Sequence, residues 1–230
     1  MTRSVHPHLA RLRGRLVVSC QAPVTSPLHD PYVIARVARA AQDAGAAGVR
    51  IDTPLHIAAT RALCSVPVVG LHKQQHDGSA VYITPTREAA AGVIDAGADI
   101  VAVDATGRPR PHGERLADII AVIHDHGRLV MADVSTAEEG LMAADLGANV
   151  IATTMAGYAG EPPRHAGPDI ALVERLASTT DVPVICEGRI GSADDVRAAF
   201  AAGAFAVVVG GAITGIDALV RHFVAATPAG

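Results

Sequence analysis

Two residues stand out for the chemistry they could do. Lys73 comes just after the apolar run Val68–Leu71, and Glu187 closes the run Val184–Glu187. A lysine whose stem lies against an apolar strand end is partly desolvated. That lowers its pKa and suits it to proton transfer or imine formation. Burial pushes a carboxyl after Val-Ile-Cys the other way, toward a pKa near neutrality. Such a pair can exchange protons with a substrate lying between them. A structural Lys–Glu ion pair is the plain alternative.

The same end of the other apolar runs is also polar. Ser19-Cys20-Gln21 closes the first, Arg50 and Asp52 the second, and Asp104 with Thr106 and Arg108 the fourth. Asp133 closes the fifth, Thr153-Thr154 the sixth, and Gly210-Gly211 the eighth. Each residue alone could be a cap. As a set, acids, bases and amides gather at one end of every run, which a packed core does not require. Glu187-Gly188-Arg189-Ile190-Gly191-Ser192 and Val208-Val209-Gly210-Gly211-Ala212-Ile213-Thr214 bring glycine to two neighbouring loops. Glycine lets backbone N–H groups approach an anion, and a short helix over 210–214 suits a phosphate.

These residues need a scaffold that brings strand ends together. The strand-like runs are 15–19, 48–51, 68–71, 100–104, 129–133, 150–153, 184–187 and 206–209. Helical patterns alternate with them at 31–44, 55–64, 86–96, 114–125, 137–146, 169–178, 193–202 and 216–226. Thr86, Thr136 and Ser192 read as helix caps. Gly45, Gly97, Gly147 and Gly203 close four helices just before a strand. Pro67 and Pro183 mark strand starts. Strict β–α alternation without hairpin signals predicts a parallel sheet, and eight units predict a closed (β/α)8 TIM barrel. Its active site then lies at the C-terminal strand ends. Residues 1–230 read as one barrel domain, with an N-terminal arm over 1–14 and a tail over 227–230.

Composition narrows the function. The chain has 230 residues, half of them hydrophobic and 3% aromatic without tryptophan, so Ala, Val, Ile and Leu must build the core. A formal charge of −4, with no basic run, argues against a nucleic-acid partner. No apolar run has membrane-helix length, and the N-terminus lacks a signal-peptide core, so no membrane partner and a cytoplasmic location are expected. Cys20, Cys64 and Cys186 have neither disulfide nor zinc spacing. Eleven histidines, including His72 and His76 beside Lys73, lack a carboxylate pair at ligand spacing, so no metal is expected.

The linked motifs resemble one family over residues 16–224. They are Val-Ser-Cys-Gln-Ala (18–22), Gly-Val-Arg (48–50), Tyr-Ile-Thr-Pro-Thr (82–86) and Asp-Ala-Thr-Gly-Arg-Pro-Arg-Pro (104–111). Met-Ala-Asp-Val-Ser-Thr (131–136), Thr-Thr-Met-Ala-Gly-Tyr (153–158), Glu-Gly-Arg-Ile (187–190) and Val-Val-Gly-Gly-Ala-Ile-Thr (208–214) complete the set. Together they are similar to the N-acetylmannosamine-6-phosphate 2-epimerases of bacterial sialic acid catabolism. The resemblance implies a TIM barrel of the ribulose-phosphate-binding type and an isomerase that inverts C2 of a phosphorylated N-acetylhexosamine, without a cofactor, as a homodimer. It implies proton handling by Lys73 and Glu187. It also implies sugar binding by Gln21, Arg50, Asp133, Thr154 and Tyr158, and phosphate binding by Gly188, Arg189, Gly210 and Gly211. The chain departs from the family pattern at Gly215, where an arginine is usual, and around Lys73. Another phosphate-binding barrel enzyme, such as a sugar-phosphate epimerase or Schiff-base aldolase, and a non-catalytic phosphosugar binder are the alternatives.

Overall fold

In the computed structural model, residues 6–159 and 166–228 are described; residues 1–5 of the expected arm and 229–230 of the expected tail lie outside them. The strands are β1 (Leu16–Cys20), β2 (Gly48–Asp52), β3 (Val68–Leu71), β4 (Ile100–Asp104), β5 (Leu129–Asp133), β6 (Val150–Ala152), β7 (Val184–Glu187) and β8 (Ala206–Val209). Each pairs in parallel with the next, and β8 returns to β1, closing the barrel. The helices are α1 (Pro7–Leu12), α2 (Pro31–Asp43), α3 (Pro54–Leu63), α4 (Arg87–Asp95) and α5 (Leu116–Asp125), then α6 (Ala137–Asp145), α7 (Ile170–Thr179), α8 (Ala193–Ala201), α9 (Gly211–Thr214) and α10 (Ile216–Val224).

Strand periodicity sorts the core into two layers. Val17, Val69, Met131, Ile185 and Val208 fill the barrel interior. Their neighbours Val18, Val68, Val130, Val184 and Val207 face the helices. The same alternation carries Ser19, Arg50, Asp52, Lys73, Asp133 and Glu187 along the interior files to the C-terminal mouth. Their position there follows from the pleat.

The predicted joints form as expected. Gly45, Gly97, Gly147 and Gly203 all take positive φ, which glycine adopts without a Cβ penalty. Thr136 and Ser192 form reciprocal capping boxes with Glu139 and Asp195. Pro67 and Pro183 sit one residue before their strands, where their carbonyls accept from Val49 and Ile151 at 3.0 Å.

Two local expectations need correction, and a third feature could not be read in the sequence. The arm over 1–14 carries α1, which buries Leu9 and Leu12 against the interior core. A helix of six residues gives too little periodicity to read in sequence. Thr153 leaves β6 for a 3-10 turn over Thr153–Met155. There its hydroxyl donates to the Glu187 carbonyl at 3.0 Å and accepts from the Glu187 N–H at 3.1 Å, so a side chain continues the β6–β7 pairing. Finally, α10 buries none of its residues and turns Ile216, Val220, Phe223 and Val224 to solvent.

Candidate active site

A cavity of about 740 Å³ opens at the C-terminal mouth, lined by Gln21, Arg50, Lys73, Thr154, Tyr158 and Glu187, with Gly188, Arg189, Gly210 and Gly211 at one end. Every expected site residue except Asp133 therefore reaches it. Asp133 is fully buried behind Arg50. The Arg50 guanidinium forks onto it, with Nη1–Oδ1 at 3.1 Å and Nη2–Oδ2 at 2.6 Å. Thr154 Oγ1 donates to the same carboxylate at 2.7 Å. The geometry thus makes Asp133 the anchor of Arg50 and leaves it without a face on the cavity.

Arg50 Nη1 also donates to Glu187 Oε2 at 2.6 Å. One guanidinium is shared by two carboxylates, and all three groups are largely withdrawn from water. Burial opposes the Arg50 charge, but Asp133 and then Glu187 outweigh it and hold its pKa above the ordinary value. Glu187 is pushed up to about 7, chiefly by burial, with Asp133 repelling its charge and Arg50 only partly offsetting both. The two directions agree once the stoichiometry is considered. Asp133 takes the bidentate fork, Glu187 a single bond, and a trio with both acids ionised carries an uncompensated buried negative charge. The proton returns most readily to the less well-paired carboxyl.

Lys73 does not pair with Glu187. Its Nζ donates to Gln21 Oε1 at 2.6 Å, and Gln21 Nε2 donates to Ser19 Oγ at 2.9 Å. The Lys73 side chain is open to the cavity yet crowded by the barrel rim. Burial holds its pKa below the ordinary lysine value, opposed first by Asp52. The site therefore contains a lysine lowered and a glutamate raised, each held by a separate partner, facing one cavity.

The wider comparisons fit this geometry. A family model described as "Putative N-acetylmannosamine-6-phosphate epimerase" matches residues 34–229. The chain belongs to that epimerase family. A relative from Synechococcus elongatus, named as a putative N-acetylmannosamine-6-phosphate 2-epimerase, is 48% identical over 221 residues, 95% of each chain. One from Caldanaerobacter subterraneus, with the same name, is 44% identical over 218 residues, covering 94% of this chain and 92% of its own. The solved N-acetylmannosamine-6-phosphate 2-epimerase of Clostridium perfringens superposes with a TM-score of 0.93 at 37% identity over 99% of both chains. A Pyrococcus furiosus thiamine phosphate pyrophosphorylase, at 15% identity and a TM-score of 0.59 over 90% of both chains, shares the fold alone.

Within this epimerase-family barrel, the end near β7 and β8 departs from the sequence reading at Arg189 and agrees with it at the short helix. Arg189 lines the cavity, but its Nε donates to the Gly167 carbonyl at 3.0 Å and its Nη1 to that of Ala156. Its guanidinium is largely committed to the loop after β6, and it lies 5.7 Å from the exposed Tyr158 ring. The helix expected over 210–214 is present as α9, tied down where Thr214 Oγ1 donates to the Ser19 carbonyl at 2.7 Å. Ser19 and Tyr82 also line the cavity. Ser19 was legible as an interior strand-end residue, but Tyr82 lies on the β3–α4 connection, where no periodicity points inward. Among the described residues no group of three or more His, Cys, Asp or Glu is placed to hold a metal.

Gly215 is more than a missing arginine. A Cβ there would lie 2.6 Å from the Gly211 carbonyl oxygen and 3.0 Å from its Cα, both backbone atoms of α9. Gly215→Ala is therefore expected to displace α9 and destabilise the fold by about 1–3 kcal/mol. Urea unfolding measures this, and an unchanged midpoint with an unchanged slope would contradict it.

Proposed function

We propose that the chain is an isomerase interconverting N-acetylmannosamine 6-phosphate and N-acetylglucosamine 6-phosphate. The observation that carries this is that Lys73 and Glu187 face one cavity, with pKa values moved toward each other chiefly by burial. In the open-chain sugar, the C2 proton lies beside the C1 aldehyde and can be removed if the developing enolate oxygen is stabilised. One of the two residues takes the proton from one face, and the other returns a proton to the opposite face. Their strands, β3 and β7, lie across the barrel from one another. Arg50 supplies positive charge close to both steps, with Asp133 and Thr154 holding its orientation. Gln21 holds the Lys73 ammonium, and Tyr158 covers the sugar at the rim. Backbone N–H groups around Gly188, Arg189, Gly210 and Gly211 receive the phosphate.

Each direction of this reaction needs one member of the pair protonated and the other not. Activity therefore falls on the acid side as Glu187 gains its proton near pH 7, and on the basic side as Lys73 loses its own. No redox or nucleotide cofactor is required by a proton transfer of this kind. A cytoplasmic site of action belongs to the same reading, since a doubly charged sugar phosphate does not cross a bilayer unaided.

Incubation with N-acetylmannosamine 6-phosphate in deuterated water should introduce deuterium at C2 and yield both epimers. Lys73→Ala and Glu187→Gln should each slow turnover by a factor of about 10² or more. Absence of exchange and of product at high wild-type concentration would overturn the assignment.

A homodimer is part of the proposal. The exposed Ile216, Val220, Phe223 and Val224 form an apolar stripe on α10 suited to a second copy of the chain. Light scattering should give about twice the chain mass of 23.5 kDa, and Phe223→Asp should shift it toward that value. A wild-type mass of one chain would contradict it.

A further inference from the structure

Lys73 sits just beyond β3, where the parallel ladder has ended, and its backbone is held by other means. The stretch folds back against residues 82–84. Thr84 N donates to the His72 carbonyl at 2.8 Å, Gln74 N to the Tyr82 carbonyl at 2.9 Å, and His72 N to Thr84 Oγ1 at 3.1 Å. The Lys73 N–H is not held by that segment. It donates to Asp52 Oδ1 at 2.9 Å. Asp52 is the last residue of β2, on the interior file of Arg50, and it precedes a helix. Thr53 takes the capping position at φ 69°, a left-handed conformation rare for a β-branched residue, and its hydroxyl is buried without a partner. Strain of this kind persists only where the surroundings impose it. Here it leaves the Asp52 carboxylate beside Lys73.

We propose that Asp52 is a positioning residue for the epimerisation, acting through Lys73. Its carboxylate fixes the Lys73 backbone so that Nζ reaches Gln21 and the cavity, and its charge keeps the ammonium form accessible. This rests on the reading that Lys73 carries the C2 proton. Lys73 also faces Arg50 on β2, Glu187 on β7 and Asp133 on β5, of which only Arg50 disfavours its charge. Behind Asp52 stands His56 on α3, buried, packed edge-on against His29 at 4.6 Å and influenced by Asp30 as well. Burial lowers the His56 pKa, so its ring is neutral on the basic side of the profile and does not compete there for Asp52.

Two substitutions separate the roles. Asp52→Asn keeps an oxygen to accept from the Lys73 N–H but removes the charge. It should retain kcat within about threefold at the optimum, while the basic limb of the kcat profile moves to lower pH because the ammonium form loses support. Asp52→Ala removes both and should lower kcat by at least about tenfold, with KM for N-acetylmannosamine 6-phosphate changed by less than about threefold. Circular dichroism and melting temperature establish folding; if the alanine variant does not fold, the basic limb of the asparagine variant decides. Wild-type kcat in Asp52→Ala, or an unmoved basic limb in Asp52→Asn, would overturn the proposal. Lys73→Ala separates this from a failure of the underlying reading. A fully active Lys73→Ala would sink the role of Lys73 itself, whereas an inactive one beside wild-type Asp52 variants would sink only the role of Asp52.

Discussion

One guanidinium shared by two buried carboxylates is the constraint around which the site is arranged. Arg50 is 1% exposed, yet it bonds Asp133 twice and Glu187 once. Removing charges from water costs several kcal/mol per ion, and only good geometry recovers it. The barrel supplies that geometry by bringing the ends of β2, β5 and β7 to one point. Among the described residues no second positive charge touches the two carboxylates. Burial first, and then the neighbouring Asp133 charge, make Glu187 a carboxyl that can hold or release a proton near neutrality. A site built for stability alone would be better served by an apolar replacement of the trio. Its presence at the cavity fits the proposed proton transfer.

The rest of the mouth follows from placing Lys73 opposite this trio. Gln21 links Lys73 to Ser19, Ser19 also contacts α9 through Thr214, and α9 is closed by Gly215. The β7–β8 end of the cavity and the Lys73 end are thus joined by a short run of hydrogen bonds through the end of β1. At the β7–β8 end, Arg189 spends its guanidinium on two loop carbonyls. The steric block at Gly215 explains why a side chain cannot be added there without moving α9.

Much of the scaffold was legible in sequence because its signals are local. Alternation of short apolar runs with helical patterns, the Asp-Ala-Gly type joints and the Val-Pro-Val starts place all eight strands within about two residues. The polar strand ends that pleat toward the mouth were readable for the same reason, and they include Lys73 and Glu187. What escaped was pairing across the barrel. Arg50 and Asp133 lie 83 residues apart, and Arg50 and Glu187 lie 137 apart, so no spacing rule joins them. Hence Asp133 reads as a sugar ligand in sequence and as the anchor of Arg50 in the structure. Thr153 escaped because its hydroxyl imitates a strand. Lys73 and Glu187 could be read as an ion pair until the structure showed each with a different partner.

Glu187 retains its proton to near neutrality because it is buried and because Arg50, forked onto Asp133, only partly offsets that burial. Carbon-13 NMR of glutamate side-chain carboxyls reads this directly, with the Glu187 signal identified by its disappearance in Glu187→Gln. The account predicts a carboxyl titrating near pH 7. A Glu187 signal titrating at the ordinary glutamate value of about 4.3, with Arg50 and Asp133 intact, would contradict it.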